Sequence, residues 1–276
     1  MNSIRSVLVH VDAAPSSAAR LQVARQVAAP HEALVTALYA VTPSVLQVPF
    51  AGEAASAAVS LLQELDNERL QRAKACFREA TCRPGCAVHW AELGDEPVIA
   101  GFVHEALCAD LLVLGQRASG DAFSRDVPAD FAEAVMLSSG RPAIVVPDVP
   151  DLPLVGRRIV IAWKSSRECA RAVSGALPVL QRAETVQLVH WSEAHSESHS
   201  PLGIERYLRL HGVEPTRHDM GIAHRVGQAA LAFSANAGAD LLVMGCYGHS
   251  RARELVLGGA TREVLREARL PVLMAH

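Results

Sequence analysis

Three glycines near the C-terminal end, Gly245, Gly248 and Gly258, have the spacing of a loop that can hold an anion. The first follows an apolar run, Leu241–Met244, that reads as a buried parallel strand. The pair Gly258–Gly259 then leads through Ala260 and Thr261 into a helix-like run that Pro271 terminates, and Val272–Ala275 reads as a further buried strand. Glycine lets backbone N–H groups approach phosphate oxygens without a Cβ in the way. A helix N-terminus near Gly259 adds unpaired donors and a favourable dipole. His249, Ser250 and Arg251 lie in the same stretch.

Other reactive side chains carry less. Cys76, Cys82, Cys86 and His89 put four soft ligands within 14 residues, which could suit zinc. Cys86 and His89 are, however, three apart on a predicted strand and so point to opposite faces; ordinary thiols are expected, and no metal site. His195 and His199 read as solvated loop residues, and His224–Arg225 as the polar first turn of a helix. Ser166 has no neighbouring base in the sequence, and no nucleophile–base pair stands out.

The elements that must position the glycine loop follow a regular order. Strand-like runs at Ser6–Val11, Ala33–Ala40, Cys86–Leu93, Asp110–Gly115 and Pro142–Val146 alternate with helical patterns over 18–29, 57–79, 97–108 and 131–139. Ser16 or Ser17 is placed to cap the first of these helices. The second part repeats the order, with strands at Arg158–Trp163, Val186–Trp191, Val213–Met220, Leu241–Met244 and Val272–Ala275 and helices over 168–180, 203–210, 224–237 and 259–268. The repeat is visible in the residues themselves. Ala109–Gly115 (ADLLVLG) returns 130 positions later as Ala239–Gly245 (ADLLVMG), and Asp12 and Lys164 close matching first strands 152 positions apart. The difference places about 22 extra residues in the first half, within 42–79.

Strands alternating with helices imply parallel sheets covered on both faces. The expected fold is α/β: two doubly wound, Rossmann-like domains in tandem, 1–150 and 155–276, joined near Val149–Leu154. Ligands of such folds sit at the C-terminal ends of the first and fourth strands, where strand order reverses. A net charge of −3 and 4% aromatic residues give no footprint for nucleic acid. No apolar stretch is long enough to span a membrane and no leader is visible, so a cytoplasmic protein is expected.

The closing stretch resembles the nucleotide-binding signature of the universal stress protein family, Gly-x2-Gly-x9-Gly followed by Ser or Thr. Pro271–Val272–Leu273, Asp12 with Ser17, and Ser166 after Lys164 are similar to that family as well, and the resemblance covers nearly the whole chain. It implies small α/β units that pair through their last strands, here as an internal pseudo-dimer across 142–146 and 271–275, with a further homodimer compatible. It also implies an adenine nucleotide, ATP or AMP with or without Mg2+, in the second half. Gly245, Gly248 and Gly259 to Thr261 would hold phosphates, His249 to Arg251 would line the loop, Ala162, Trp163 and Lys164 would face the adenosine, and Met244 and Gly258 would belong to the same nucleotide site. Two residues depart from the family pattern. Gly259 stands where a hydroxyl is usual, and Lys164 stands where an aspartate usually meets the sugar; lysine cannot accept a hydrogen bond from ribose.

The first half keeps Asp12 but lacks the glycines. The counterpart of Gly258 falls near Leu137 or Ser138, and Asp121, Asp126 and Asp130 would repel phosphate. One site per chain is expected, with a stress-response regulatory role and at most slow ATP hydrolysis. The alternatives are a nucleotide-free interaction scaffold and an autophosphorylating protein using Thr261 or Ser250.

Overall fold

The computed structural model describes residues 3–47, 55–82, 84–94, 96–117, 126–149, 152, 154–191, 203–247 and 259–276. Short runs of Val, Leu and Ile become strands because their side chains are buried on both sides of the sheet. In the first half these are β1 (Ser6–Val11), β2 (Leu34–Tyr39), β3 (Val88–Glu92), β4 (Leu111–Gly115) and β5 (Ala143–Val146). In the second they are β6 (Arg158–Trp163), β7 (Thr185–His190), β8 (Pro215–Asp219), β9 (Leu241–Gly245) and β10 (Val272–Ala275). Helices α1 (Ser17–Ala28), α2 (Ala55–Thr81), α3 (Val98–Ala106) and α4 (Phe131–Ser139) connect the first set. Helices α5 (Arg167–Leu180), α6 (Ile204–Leu210), α7 (Val226–Asn236) and α8 (Ala260–Glu267) connect the second. The expected extra length of the first half lies in α2, 27 residues against seven in α6. Strand β3 begins only at Val88, so Cys86 precedes it and the argument from strand alternation does not apply to that cysteine.

All ten strands form one sheet in the order β3-β2-β1-β4-β5-β10-β9-β6-β7-β8. Each set of five has the same internal order. Within each set neighbours are parallel, and the sets meet through the antiparallel pair β5–β10, with Ile144 opposite Leu273. This is the pairing of last strands expected from the sequence. The halves also touch beside the sheet: Arg182 Nη2 donates to the Pro30 carbonyl at 2.6 Å and the Val155 amide to Gln26 Oε1 at 3.1 Å. A Cβ on Gly175 would lie 2.8 Å from Pro142, so α5 approaches the seam at glycine distance.

Helices cover both faces. One face packs α1, α2, α5 and α6 through residues such as Leu21, Val27, Leu177 and Leu208. The other packs α3, α4, α7 and α8 through Phe102, Met136, Ala230 and Val264. Each fully buried aliphatic side chain contributes about 1.5–3 kcal/mol relative to exposure.

The most visible repeat residue has a structural task. Asp110 Oδ2 accepts the amides of Arg5 and Ser6 at 2.8 and 3.1 Å. Asp240 likewise accepts those of Gly156, Arg157 and Arg158 at 2.8–3.2 Å. Both carboxylates satisfy strand-entry amides at the N-terminal end of the sheet, away from the C-terminal ends where ligands bind. The counterpart of Gly258 needs correction as well. Leu137 and Ser138 lie inside α4, and the residue heading the last helix is Asp130 in the first half and Gly259 in the second.

Candidate functional site

The order reverses between β1 and β4 and again between β6 and β9, so each half opens a crevice at the C-terminal ends of those strands. The first crevice is filled from within. Arg20, 2% exposed, reaches back from α1 and donates from Nη2 to Asp12 Oδ1 at 2.5 Å and Ser17 Oγ at 2.7 Å. Its Nη1 meets His10 Nδ1 at 2.7 Å, and His10 Nε2 meets the Ala40 carbonyl at 2.8 Å. A guanidinium can only donate, so Nδ1 is the acceptor and the imidazole proton resides on Nε2. Beneath lies Gly115, whose Cβ would sit 3.2 Å from Arg20 Nη1.

The energetics of this cluster follow from burial and pairing. Burial disfavours the Asp12 anion, but the charges of Arg20 and His10 and the hydrogen bonds from Arg20 and Ser17 outweigh it and bring the carboxyl to about 2. Burial, followed by the Arg20 charge, takes His10 down to about 4. Asp12 is therefore a buried ion-pair partner rather than an exposed strand end. Ser17 is turned to Asp12, at 2.8 Å, and Ser16 makes no side-chain cap, so the expected serine cap of α1 is absent.

Next to it the acidic loop folds inward. Asp126 is 1% exposed and its backbone carbonyl accepts the Thr42 amide at 2.6 Å. Its carboxylate lies 3.5 Å from Arg69 Nη2, while Arg69 Nη1 serves Ser44 Oγ at 2.8 Å and Asp66 Oδ1 at 3.2 Å. Among the described residues neither carboxylate oxygen of Asp126 makes a well-formed hydrogen bond, and burial raises its pKa. Of the three aspartates expected to face a phosphate, Asp126 is buried, Asp130 is exposed at the head of α4, and Asp121 lies outside the described residues.

The second crevice is built differently. At the positions of His10, Asp12, Ser17 and Arg20, 152 residues on, stand Ala162, Lys164, Cys169 and Ala172. Ala172 is too short to reach in as Arg20 does, and the first turn of α5 approaches β9. A Cβ on Gly245 would fall 2.5 Å from the Cys169 amide nitrogen and 2.7 Å from the Glu168 carbonyl carbon. Gly245 is thus a glycine because helix backbone occupies that space. Ser166 caps this helix, accepting the Cys169 amide at 3.3 Å. Ala162 and Met244 are neighbours in register and share the α7/α8 face with Val264. Trp163 packs on the opposite face, so of these two side chains Ala162 alone shares a layer with Met244. Lys164 is exposed at the strand end.

Gly259 heads α8 in an extended conformation, φ −65° and ψ 149°, with no side-chain cap, and is half-buried like Ala260. Thr261 is 3% exposed and its Oγ1 accepts the Tyr247 amide at 3.1 Å. That bond holds Tyr247 at φ +54°, a left-handed conformation costing about 1–2 kcal/mol for a residue with a Cβ. The Thr261 hydroxyl thus ties the end of β9 to the last helix. Gly248, His249, Ser250, Arg251 and Gly258 lie outside the described residues, as do His195 and His199. The Cys86 thiol contacts the Ala33 carbonyl and the Cys82 thiol that of Glu79. Among the described residues no group of three or more His, Cys, Asp or Glu is arranged to hold a metal ion, and no helix is long and apolar enough to cross a membrane.

The Arg20 network escaped the sequence reading, although His10-x-Asp12 at a strand end followed by Ser17 and Arg20 three apart on a helix was a usable signal. Comparison with known proteins addresses the second half directly. The sequence profile described as "Universal stress protein family" matches residues 156–276. Residues 156–276 thus resemble the universal stress protein family. A universal stress protein of Synechocystis sp. is 25% identical over 168 residues, spanning 59% of this chain and 57% of that protein, a little over half its length. A universal stress protein structure from Archaeoglobus fulgidus aligns with 99% of this chain and 96% of its own at a TM-score of 0.72 and 15% identity. A putative universal stress protein from Pseudomonas aeruginosa aligns over 98% and 92% at a TM-score of 0.56 and 15% identity. At that identity the two structures establish the shared fold, and they do so for both halves of the chain.

Proposed function

We propose that this protein binds an adenine nucleotide, ATP or AMP, at the C-terminal edge of β6 and β9, as a cytoplasmic regulatory module of two tandem domains, 1–150 and 155–276. The observation that carries the reading is the contrast at the head of the last helix. In the second half Gly259 heads α8 without a side chain of its own, and in the first half Asp130 places a carboxylate at the matching position. Lys164 against Asp12 at the neighbouring strand end differs in the same direction: the second half has a cationic residue where the first has a carboxylate. Helix N-termini and cations favour phosphate. Gly248 and Gly258 complete the glycine spacing in sequence. The loop residues His249, Ser250 and Arg251 extend the site.

The enzymatic alternative is weaker. Thr261 is buried with its oxygen engaged by the Tyr247 amide, a poor setting for a phosphate acceptor. Calorimetry with ATP and AMP tests the proposal. Gly259→Asp, which grafts the first-half residue, is expected to weaken binding at least about tenfold through charge repulsion at the helix head. Absence of binding at millimolar ATP would leave the interaction scaffold as the better reading.

A further inference from the structure

Helices α7 and α8 begin at the same corner of the second half, and a buried carboxylate lies between them. Glu263, 7% exposed, sits in the first turn of α8, its amide bonded to the Gly259 carbonyl at 3.2 Å. Its Oε1 accepts Arg225 Nε at 2.8 Å and its Oε2 accepts the Gln228 amide at 3.3 Å. The approach is close enough that a Cβ on Gly227 would lie 2.7 Å from the Ala260 carbonyl oxygen and 2.8 Å from Glu263 Oε2. Arg225 itself has a half-exposed side chain, 52%, so its guanidinium is spent on one carboxylate rather than on packing. Farther along α8, Glu267 is covered in the same way by Gln228 Nε2 at 3.1 Å and Arg266 at 2.7 Å.

A carboxylate in the first turn stabilises the helix, yet the same charge repels an anion brought to the helix head. Glu263 is one turn from Gly259, roughly 5 Å along the axis, well inside the Debye length of about 10 Å at 0.1 M salt. Resting on the nucleotide reading above, we infer that Arg225 is a charge-screening residue: it neutralises Glu263 so that the α8 N-terminus can accept a polyphosphate. It acts through Glu263 and does not touch the ligand. The consequence is a dependence on ligand charge that packing alone would not produce.

Calorimetry at low ionic strength with ATP, AMP and adenosine reads this directly. Arg225→Ala is expected to weaken ATP about tenfold, AMP about threefold and adenosine less than about twofold, since the repulsion scales with ligand charge. Adding Glu263→Gln to that variant is expected to restore ATP to within about twofold of the parent, because the charge that needed screening is gone. An equal loss for all three ligands, or a double variant as weak as Arg225→Ala, overturns the inference and makes the pair a packing contact. If Arg225→Ala folds poorly, Glu263→Gln alone decides: about threefold tighter ATP with adenosine unchanged supports screening, and unchanged ATP refutes it. A parent protein that binds none of the three ligands removes the nucleotide reading and this one with it.

Discussion

The buried imidazole of His10 makes the stability of this protein depend on pH in a defined direction. His10 is 1% exposed, its Nδ1 faces the Arg20 guanidinium at 2.7 Å, and its Nε2 proton is directed to the Ala40 carbonyl. Protonation would set a second cation against Arg20 without water, and the Asp12 carboxylate, 4.0 Å from Nδ1, offsets only part of that. The imidazole therefore titrates at about 4 in the fold and near its ordinary 6.5 in the unfolded chain. Between these values the unfolded chain binds more protons, so stability is complete above pH 6.5 and falls as pH drops through 4. At 1.36 kcal/mol per pH unit, the loss attributable to this residue reaches about 3 kcal/mol. Asp12 adds its own loss only below 3.8 as pH falls to about 2, so the windows are separate. In His10→Gln the amide can donate to Ala40 and accept from Arg20 without titrating. Urea unfolding of both proteins between pH 7.5 and 4.5 should show a stability difference that shifts steadily in favour of the variant as pH falls. Parallel pH profiles, or a His10 resonance titrating near 6.5 in the folded protein, would refute the account of the cluster.

Other perturbations test other parts of the structure. Gly245→Ala should destabilise by about 1–3 kcal/mol in thermal unfolding, because its Cβ meets α5 backbone at 2.5 Å; Gly115→Ala meets only the movable end of Arg20 and should cost less than half as much. Asp126→Asn is expected to stabilise at neutral pH and to be neutral in acid. Burial raises the Asp126 pKa in the fold, so its contribution is complete below the ordinary carboxylate range and lost as pH rises through the folded value; denaturant melts at pH 4 and 7.5 separate the two. Thr261→Val leaves the Tyr247 amide without its acceptor and should cost about 1–3 kcal/mol, while Thr261→Ser should stay near the parent by the same melts.

The strands were legible because a strand covered on both faces must be a short apolar run, and β1, β4, β6 and β10 begin or end within a residue or so of where those runs do. The seam followed from the family resemblance, which implies units paired through their last strands. What stayed hidden depends on distance across the fold. Gly115 and Gly245 are one residue in the repeat, yet one makes room for an arginine side chain and the other for helix backbone. Trp163 looked like a neighbour of Ala162 because they adjoin in sequence, and alternation sends them to different layers. The repeated Asp110 and Asp240 look functional by recurrence alone, but carboxylates that close strand-entry amides recur for stability. The Arg225–Glu263 contact joins residues 38 apart and carries no local signature.

The antiparallel junction of β5 and β10 has an evolutionary consequence. When two identical chains meet across such an edge, every substitution appears twice, and a change that ruins one ligand crevice ruins both. Here the junction lies within one chain, so its two sides are encoded separately and cannot drift apart on dilution. Either side can then change its residues without altering the other, provided the edge still pairs. A crevice filled by an arginine beside one that has alanine at that position is an arrangement that a symmetric homodimer has no means of encoding.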